Sequence, residues 1–176
     1  LGSSVGISKA NNRTALVNSF EMAAAYDRRV IVERGISARE IEISVLGNEE
    51  PIASVPGEVI PKDIFYSYED KYLNGVAELV IPAQLSEERS ELMRALAVRA
   101  YKAIDCAGMA RVDFFIDKNT DEIYLGELNT IPGFTQISMY PKLWQASGLP
   151  YADLVEKLIT LAFERKAERD KTEREF

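Results

Sequence analysis

The stretch that most constrains this chain runs from Ala110 to Ser138, ARVDFFIDKNTDEIYLGELNTIPGFTQIS. Its first half alternates with the period of a strand, placing Arg111, Asp113 and Phe115 on one face and Val112, Phe114 and Ile116 on the other. The turn formers DKNTD, Asp117 to Asp121, come next, and the β-rich run Glu122 to Thr130 completes a hairpin. A turn centred on Thr120 puts Asp113 opposite Glu127 and Arg111 opposite Asn129, with all four side chains on one face. Carboxylates directly across a sheet, with Cβ atoms about 5 Å apart, repel each other, so something positive is expected between them. A hard divalent cation suits. Asp, Glu and the amide oxygen of Asn are oxygen ligands that Mg²⁺ accepts, and it completes its shell from waters and phosphates. Arg111 beside it offers a planar fork of donors for a phosphoryl group or an oxyanion. A second reading of the same residues is a solvated face with weak surface pairs.

The rest of the chain bounds what such a hairpin can serve. With 176 residues, 47% hydrophobic and 28% charged, it suits one globular domain or two small lobes. A net charge of −7 argues against nucleic acid or an anionic membrane as the main partner, so any phosphate site must be local. The absence of histidine excludes histidine-based catalysis and histidine-ligated zinc within this chain. Cys106 is the one cysteine; no internal disulfide can form, and a reducing cytoplasm is expected. No apolar run is long enough to span a bilayer. The abrupt opening on a glycine loop reads as a piece of something longer.

That loop, GSSVG from Gly2 to Gly6, offers backbone N–H groups and two hydroxyls to a phosphate or a small substrate, and equally fits a plain loop. Asn11 or Asn12 caps a helix to about Tyr26 with Ala15, Leu16, Ser19, Phe20 and Ala23 inward. Arg29 to Glu33 reads as a short strand with a carboxylate at its end, able to accept from an amino group or a ribose hydroxyl. Arg39 to Gly47 is a strongly alternating strand, and Pro51 to Pro61 an edge segment. Lys62 to Gly75, with three tyrosines, suggests a lid or a pinned surface loop. Leu79 to Pro82 is a short strand, and Ser86 opens a helix to about Asp105. Ile131 to Met139 is turn-rich, its amides and the hydroxyls of Thr135 and Ser138 suited to an anionic group such as a carboxylate. A short helix follows from Pro141 to Ala146. Pro150 starts the last one, whose apolar set is Leu154, Val155, Leu158, Ile159, Ala162 and Phe163; from Glu164 on, the charged end is expected to fray.

In this order the GSSVG loop, the strand ending in Glu33, the YSYEDKY segment, the Arg-Val-Asp strand and the ELNTIPGFTQIS run resemble the D-alanine–D-alanine ligases, enzymes of the ATP-grasp superfamily. The resemblance covers the chain except its charged tail. It implies an α+β ATP-grasp fold, a mainly antiparallel sheet with flanking helices and the N-terminal domain absent. Residues 1–35 would be a remnant of the central lobe, 36–163 the C-terminal catalytic lobe and 164–176 a charged tail. The activity it implies is phosphorylation of one D-alanine carboxylate by ATP, then attack of a second D-alanine amine on the acyl phosphate, giving D-alanyl-D-alanine for peptidoglycan.

By the same resemblance, Asp113, Glu127 and Asn129 hold two Mg²⁺ (or Mn²⁺) ions between the β- and γ-phosphates. Arg111 and the N–H of Gly133 stabilise the oxyanion. Glu33 and the backbone at Ile36 read the adenine, Glu40 the ribose and Lys71 the γ-phosphate. Ser138 and Met139 bind the second D-alanine through its carboxylate, while Ser3 and Tyr72 order the first. Tyr72 closing YSYEDKY goes with dipeptide formation rather than with D-alanyl-D-lactate. The implied enzyme is cytoplasmic, acts on ATP and D-alanine, pairs as a homodimer when complete and has no nucleic-acid or membrane partner; this piece alone is expected not to turn over. Another carboxylate–amine ATP-grasp ligase, such as a D-alanine–D-lactate ligase, and a nucleotide-binding module without catalysis are the other readings.

Overall fold

The alternation of Glu40, Glu42 and Ser44 against Ile41, Ile43 and Val45 becomes the strand on which the rest of the sheet is laid. In a computed structural model, which describes residues 5–60, 78–135 and 137–172, this strand is β1, Ala38–Gly47. A short strand β2, Ile52–Ala53, turns back onto its end. The further strands are β3, Gly57–Ile60, β4, Glu78–Val80, β5, Gly108–Asp117, and β6, Ile123–Asn129. Among the described residues the order is β4-β3-β1-β5-β6 with β2 on β1. The pairings of β1 with β2, β3 and β5, and of β5 with β6, are antiparallel. With its flanking helices this is the α+β architecture expected. Within the segment from Pro51 on, β3 is not the sheet's edge, because β4 pairs with it on its outer side, whereas β2 pairs with β1 alone among the described residues.

Helices cover the two faces of this sheet according to the period-two alternation. Ser86 caps α2, Glu87–Ala103, accepting the Arg89 N–H at 3.2 Å, and Glu87 and Glu88 complement its dipole. Its Met93, Ala97 and Tyr101 pack on Ile41, Ile43, Val45, Val112, Phe114 and Ile116. Each fully buried aliphatic side chain here stabilises the fold by about 1.5–3 kcal/mol relative to exposure. On the other face α3, Met139–Ala146, and α4, Tyr151–Asp170, bring Tyr140, Trp144 and Leu154 against Leu46. Gly57 lets α3 approach, since a Cβ there would lie 2.7 Å from Leu143 and 3.1 Å from Met139 Sδ.

The last helix departs from expectation twice. Leu154, Leu158 and Leu161 face the core, whereas Ile159 and Phe163 are 54% and 70% exposed. The charged end also does not fray at Glu164. It continues as helix to Asp170, with Lys166 2.5 Å from Asp170 one turn on and Lys171 3.5 Å from Glu168.

Of the described residues, 5–37 and Glu78 fall in one compact unit and the remainder in a second. In the first unit Asn12 caps α1, Arg13–Ala24, accepting the Ala15 N–H at 2.9 Å. The face expected to be inner is not buried: Leu16 is 42% and Phe20 51% exposed. Arg29 to Glu33 forms no strand. A strand needs a ladder partner, none pairs with it among the described residues, and Ile31 is 83% exposed. The stretch Lys62 to Gly75 lies outside the described residues.

Two tyrosines sense the integrity of the core. Tyr101 donates to the Gly47 carbonyl at 2.8 Å and Tyr140 to the Val45 carbonyl at 2.9 Å, both side chains fully buried. Burial pushes both hydroxyls above the ordinary tyrosine pKa of about 10. A folded-state pKa raised in this way contributes stability that is complete below pH about 10 and falls as pH rises above it. The urea midpoint is therefore expected to drop between pH about 9 and about 11, less so in Tyr101→Phe and Tyr140→Phe. Ultraviolet titration of both hydroxyls near pH 10 in the folded chain would contradict this.

Candidate functional site

The hairpin closes where its composition announced a turn. The Asp117 carboxylate accepts the Asn119 N–H at 2.8 Å, and Asp121, at φ 61°, returns its N–H to the Asp117 carbonyl at 2.8 Å. Arg89 of α2 holds the turn down, donating to Asp121 Oδ2 at 2.8 Å and to its backbone carbonyl.

Across β5 and β6, Asp113 faces Glu127 and Arg111 faces Asn129, the register expected. Nearer the turn the register differs by one residue, with Phe114 opposite Leu125 and Phe115 opposite Tyr124. The turn thus centres between Asn119 and Thr120, and an extra residue, Gly126, sits between the two registers as a bulge. Without that offset the same turn would set Asp113 against Gly126 and send Glu127 to the core face beside Val112. The bulge places Tyr124, Glu127 and Asn129 on the Asp113 face and leaves Ile123 and Leu128 against the core. Glycine fits there without displacing a neighbour: a Cβ would stand 2.8 Å from the Phe115 ring and 3.1 Å from the Asp113 carbonyl oxygen.

A third strand adds a residue that sequence reasoning missed. Glu42 on β1 faces Asp113 from the side opposite Glu127, so Glu42, Asp113 and Glu127 form one row across three strands. The alternation had shown Glu42 on the polar face of its strand, but not which strand it would neighbour. Arg111 answers the row: Nε and Nη2 donate to Asp113 Oδ1 and Oδ2, each at 2.7 Å, and Nε lies 3.1 Å from Glu42 Oε2. Arg111, Asp113 and Glu42 are only 15–20% exposed, so their charges interact at lower effective dielectric than on an open surface, whereas Glu127 is exposed. Burial by itself pulls the Arg111 guanidinium down. Its bond to Asp113 and the charges of Glu42, Asp113 and Glu127 outweigh that and hold it above the ordinary arginine value.

The row fits a divalent cation in charge and in chemistry. Three carboxylates against one guanidinium leave a formal −2. Asn129 Oδ1 accepts the Ile131 N–H at 3.2 Å and keeps a second lone pair. Among the described residues no three acidic, histidine or cysteine side chains converge as ligands. A cation here would therefore draw on Asp113, Glu127 and the Asn129 oxygen, with phosphate oxygens and water beyond them.

The loop after β6 is held by its own hydrogen bonds, with the Ser138 N–H donating to the Thr135 carbonyl at 3.0 Å. Thr135 N–H donates to Ser138 Oγ at 3.0 Å, the two hydroxyls are 2.9 Å apart, and a Cβ at Gly133 would lie 3.0 Å from that same Oγ. Ser138 is the N-cap residue of α3, but its hydroxyl makes no capping bond. The Met139 side chain is buried, which leaves its backbone as what it can offer a ligand. Ser44, opposite Arg111, donates to the Tyr140 carbonyl at 3.2 Å and ties the first turn of α3 to the same sheet face. A helix N-terminus so placed favours an anion.

Of the other site residues expected, Glu40 lies on β1 on the face of Glu42, opposite Phe115. Glu33 and Ile36 belong to the first unit, in chain without regular secondary structure, so Glu33 does not end a strand. Ser3, Lys71 and Tyr72 lie outside the described residues.

Known proteins are similar to this chain in sequence and in structure. A family model described as the D-ala D-ala ligase C-terminus matches residues 1–160. The chain is 57% identical to the D-alanine–D-alanine ligase of Clostridium novyi over 164 residues, 93% of this chain and 48% of that protein. It is similar in structure to the D-alanine–D-alanine ligase of Coxiella burnetii, with TM-score 0.85 and 43% identity over 97% of this chain and 45% of that one. The D-Ala:D-Ser ligase VanG of Enterococcus faecalis gives TM-score 0.80 and 36% identity, over 91% and 46% respectively. The chain spans about half the length of the curated relatives it matches.

Proposed function

The chain belongs to the D-ala D-ala ligase C-terminus family, and from that premise we propose that it forms the nucleotide- and metal-binding half of an ATP-dependent ligase joining two D-alanines for peptidoglycan synthesis. The observation that carries this reading is the register of the hairpin, which brings Asp113, Glu127, Arg111 and Asn129 to one sheet face. In the reaction proposed, a carboxylate oxygen of the first D-alanine bonds to the γ-phosphorus of ATP and ADP leaves. The amine of the second then bonds to the acyl carbon, phosphate leaves, and the amine gives up a proton. Such chemistry is served by positioning and charge neutralisation.

Each residue has a place in that sequence. Asp113, Glu127 and Asn129 would hold Mg²⁺ or Mn²⁺, which when bound neutralises charge between the β- and γ-phosphates. The Arg111 guanidinium stabilises the oxyanion together with the Gly133 N–H. The amide end of α3 at Ser138 and Met139 takes the carboxylate of the second D-alanine. Glu40 reads the ribose, Glu33 and Ile36 the adenine, Lys71 the γ-phosphate, and Ser3 and Tyr72 order the first D-alanine. Residues 1–35 then serve the central lobe and 36–163 the catalytic lobe. Relatives 53–59% identical to this chain are named D-alanine–D-alanine ligases, which supports D-alanine as second substrate. No helix among the described residues is long and apolar enough to cross a membrane; the proposed setting is the cytoplasm, and the complete enzyme a homodimer.

A chimera tests the reading, with this chain replacing the matching half of the Clostridium novyi ligase. D-alanine-dependent phosphate release and D-alanyl-D-alanine in the product are expected. A folded chimera that binds ATP yet releases no phosphate with D-alanine, and does so with another amino or hydroxy acid, would move the assignment to a different ligase of the same chemistry.

A further inference from the structure

Arg111 Nε carries a single hydrogen, and two carboxylates compete for it. In the structure that hydrogen goes to Asp113 Oδ1 at 2.7 Å, while Glu42 Oε2 lies 3.1 Å from the same nitrogen. Both Asp113 oxygens are occupied by Arg111. Each oxygen keeps a further lone pair, but a cation bound there would repel the guanidinium and weaken its hold on Asp113. We propose that Glu42 is a positioning residue which takes over the Arg111 Nε–H as Asp113 turns to the cation, and so holds the guanidinium on the site face. The inference rests on the reading of Asp113 as a metal ligand.

The geometry supports the exchange without backbone movement. Glu42 and Asp113 are directly opposed across β1 and β5, and Arg111 is two residues from Asp113 on the same face. Glu42 is as buried as the pair it joins, so its charge acts on the guanidinium with little screening. Residues in a supporting position of this kind affect a metal site through the ligand they orient. Glu42 differs in acting on the competitor: it lowers the cost of removing Arg111 from Asp113. No contact with the ion is required of it.

A double-mutant cycle separates this from a direct or a merely structural role. Mn²⁺ affinity of the 176-residue chain is measured by electron paramagnetic resonance of the free ion, with thermal melting of each variant alongside. Glu42→Ala is expected to weaken Mn²⁺ binding about tenfold. Glu42→Gln, which keeps an acceptor oxygen and a similar shape but not the charge, should recover only part of that loss. In an Arg111→Ala background, where Asp113 has no competitor, adding Glu42→Ala should change affinity by less than about twofold. Equal losses in both backgrounds would mean that Glu42 acts on the ion or on the fold itself, and no loss in either would mean that Asp113 needs no such relief; each outcome overturns the proposal. An Asp113→Ala control that leaves Mn²⁺ affinity unchanged would instead remove the metal reading of the hairpin, and this proposal with it.

Discussion

Replacing Arg111 by alanine is expected to lower kcat of the complete ligase by about 10²–10³, the usual effect of losing one preorganised donor at a developing oxyanion. The side chain is held by Asp113 through two bonds of 2.7 Å and lies 3.1 Å from Glu42, so its fork is oriented before substrate arrives. Preorganisation of this sort acts on the transition state more than on binding, so ATP affinity should change far less than kcat. Arg111→Lys keeps the charge but loses the planar fork, and should recover only a small part of the rate. Mn²⁺ affinity in Arg111→Ala is expected to hold or rise, because Asp113 is released. An Arg111→Ala enzyme that keeps its kcat, or one that loses ATP binding and rate in equal measure, would place Arg111 outside the reacting centre.

Filling the bulge should do comparable damage from outside the set of charged groups. Gly126→Val brings a branched side chain to a point where even a Cβ would stand 2.8 Å from the Phe115 ring and 3.1 Å from the Asp113 carbonyl. The ring can swing, but the carbonyl belongs to the residue at the centre of the carboxylate row. Overpacking of this kind costs about 1–3 kcal/mol in stability. A displacement of about 1 Å at a reacting centre can cost about 10²-fold in rate, and that is the loss expected in the complete enzyme. Gly35→Ala provides a control, since a Cβ there meets nothing within 4 Å. If Gly126→Val matched the parent in both rate and melting temperature, the bulge would not be what positions Asp113.

Local patterns proved reliable where the information they need is local. Asn12 and Ser86 cap the helices they were expected to cap, because the capping bond spans only three residues. The opposition of Asp113 to Glu127 came out as expected, but from a turn centred on Thr120; the turn instead centres between Asn119 and Thr120, and the bulge at Gly126 makes up the difference. Even the bulge left a trace: Ile123, Leu125 and Leu128, which pair with Ile116, Phe114 and Val112, are spaced by two and then by three, a break in the strand period at Gly126. Amphipathic periodicity did less well on α4, where Ile159 and Phe163 extend the apolar set past what the sheet covers. A helix wheel gives the direction of a stripe, and the width buried depends on the surface it meets.

The residues from Arg111 to Asn129 determined by themselves that a hairpin forms and that its acids, arginine and asparagine share a face, and with the flanking motifs they carried the family resemblance. Only the tertiary structure decided that Glu42, some seventy residues before Asp113, completes the row, and that Ser44 fastens the first turn of α3 beside Arg111. It also decided that Arg29 to Glu33, as apolar as a strand, is none. The physical reason is the same in all three cases. Period and propensity act within a segment, whereas a strand's neighbours are selected by hydrogen-bond partners and burial contributed from elsewhere in the chain.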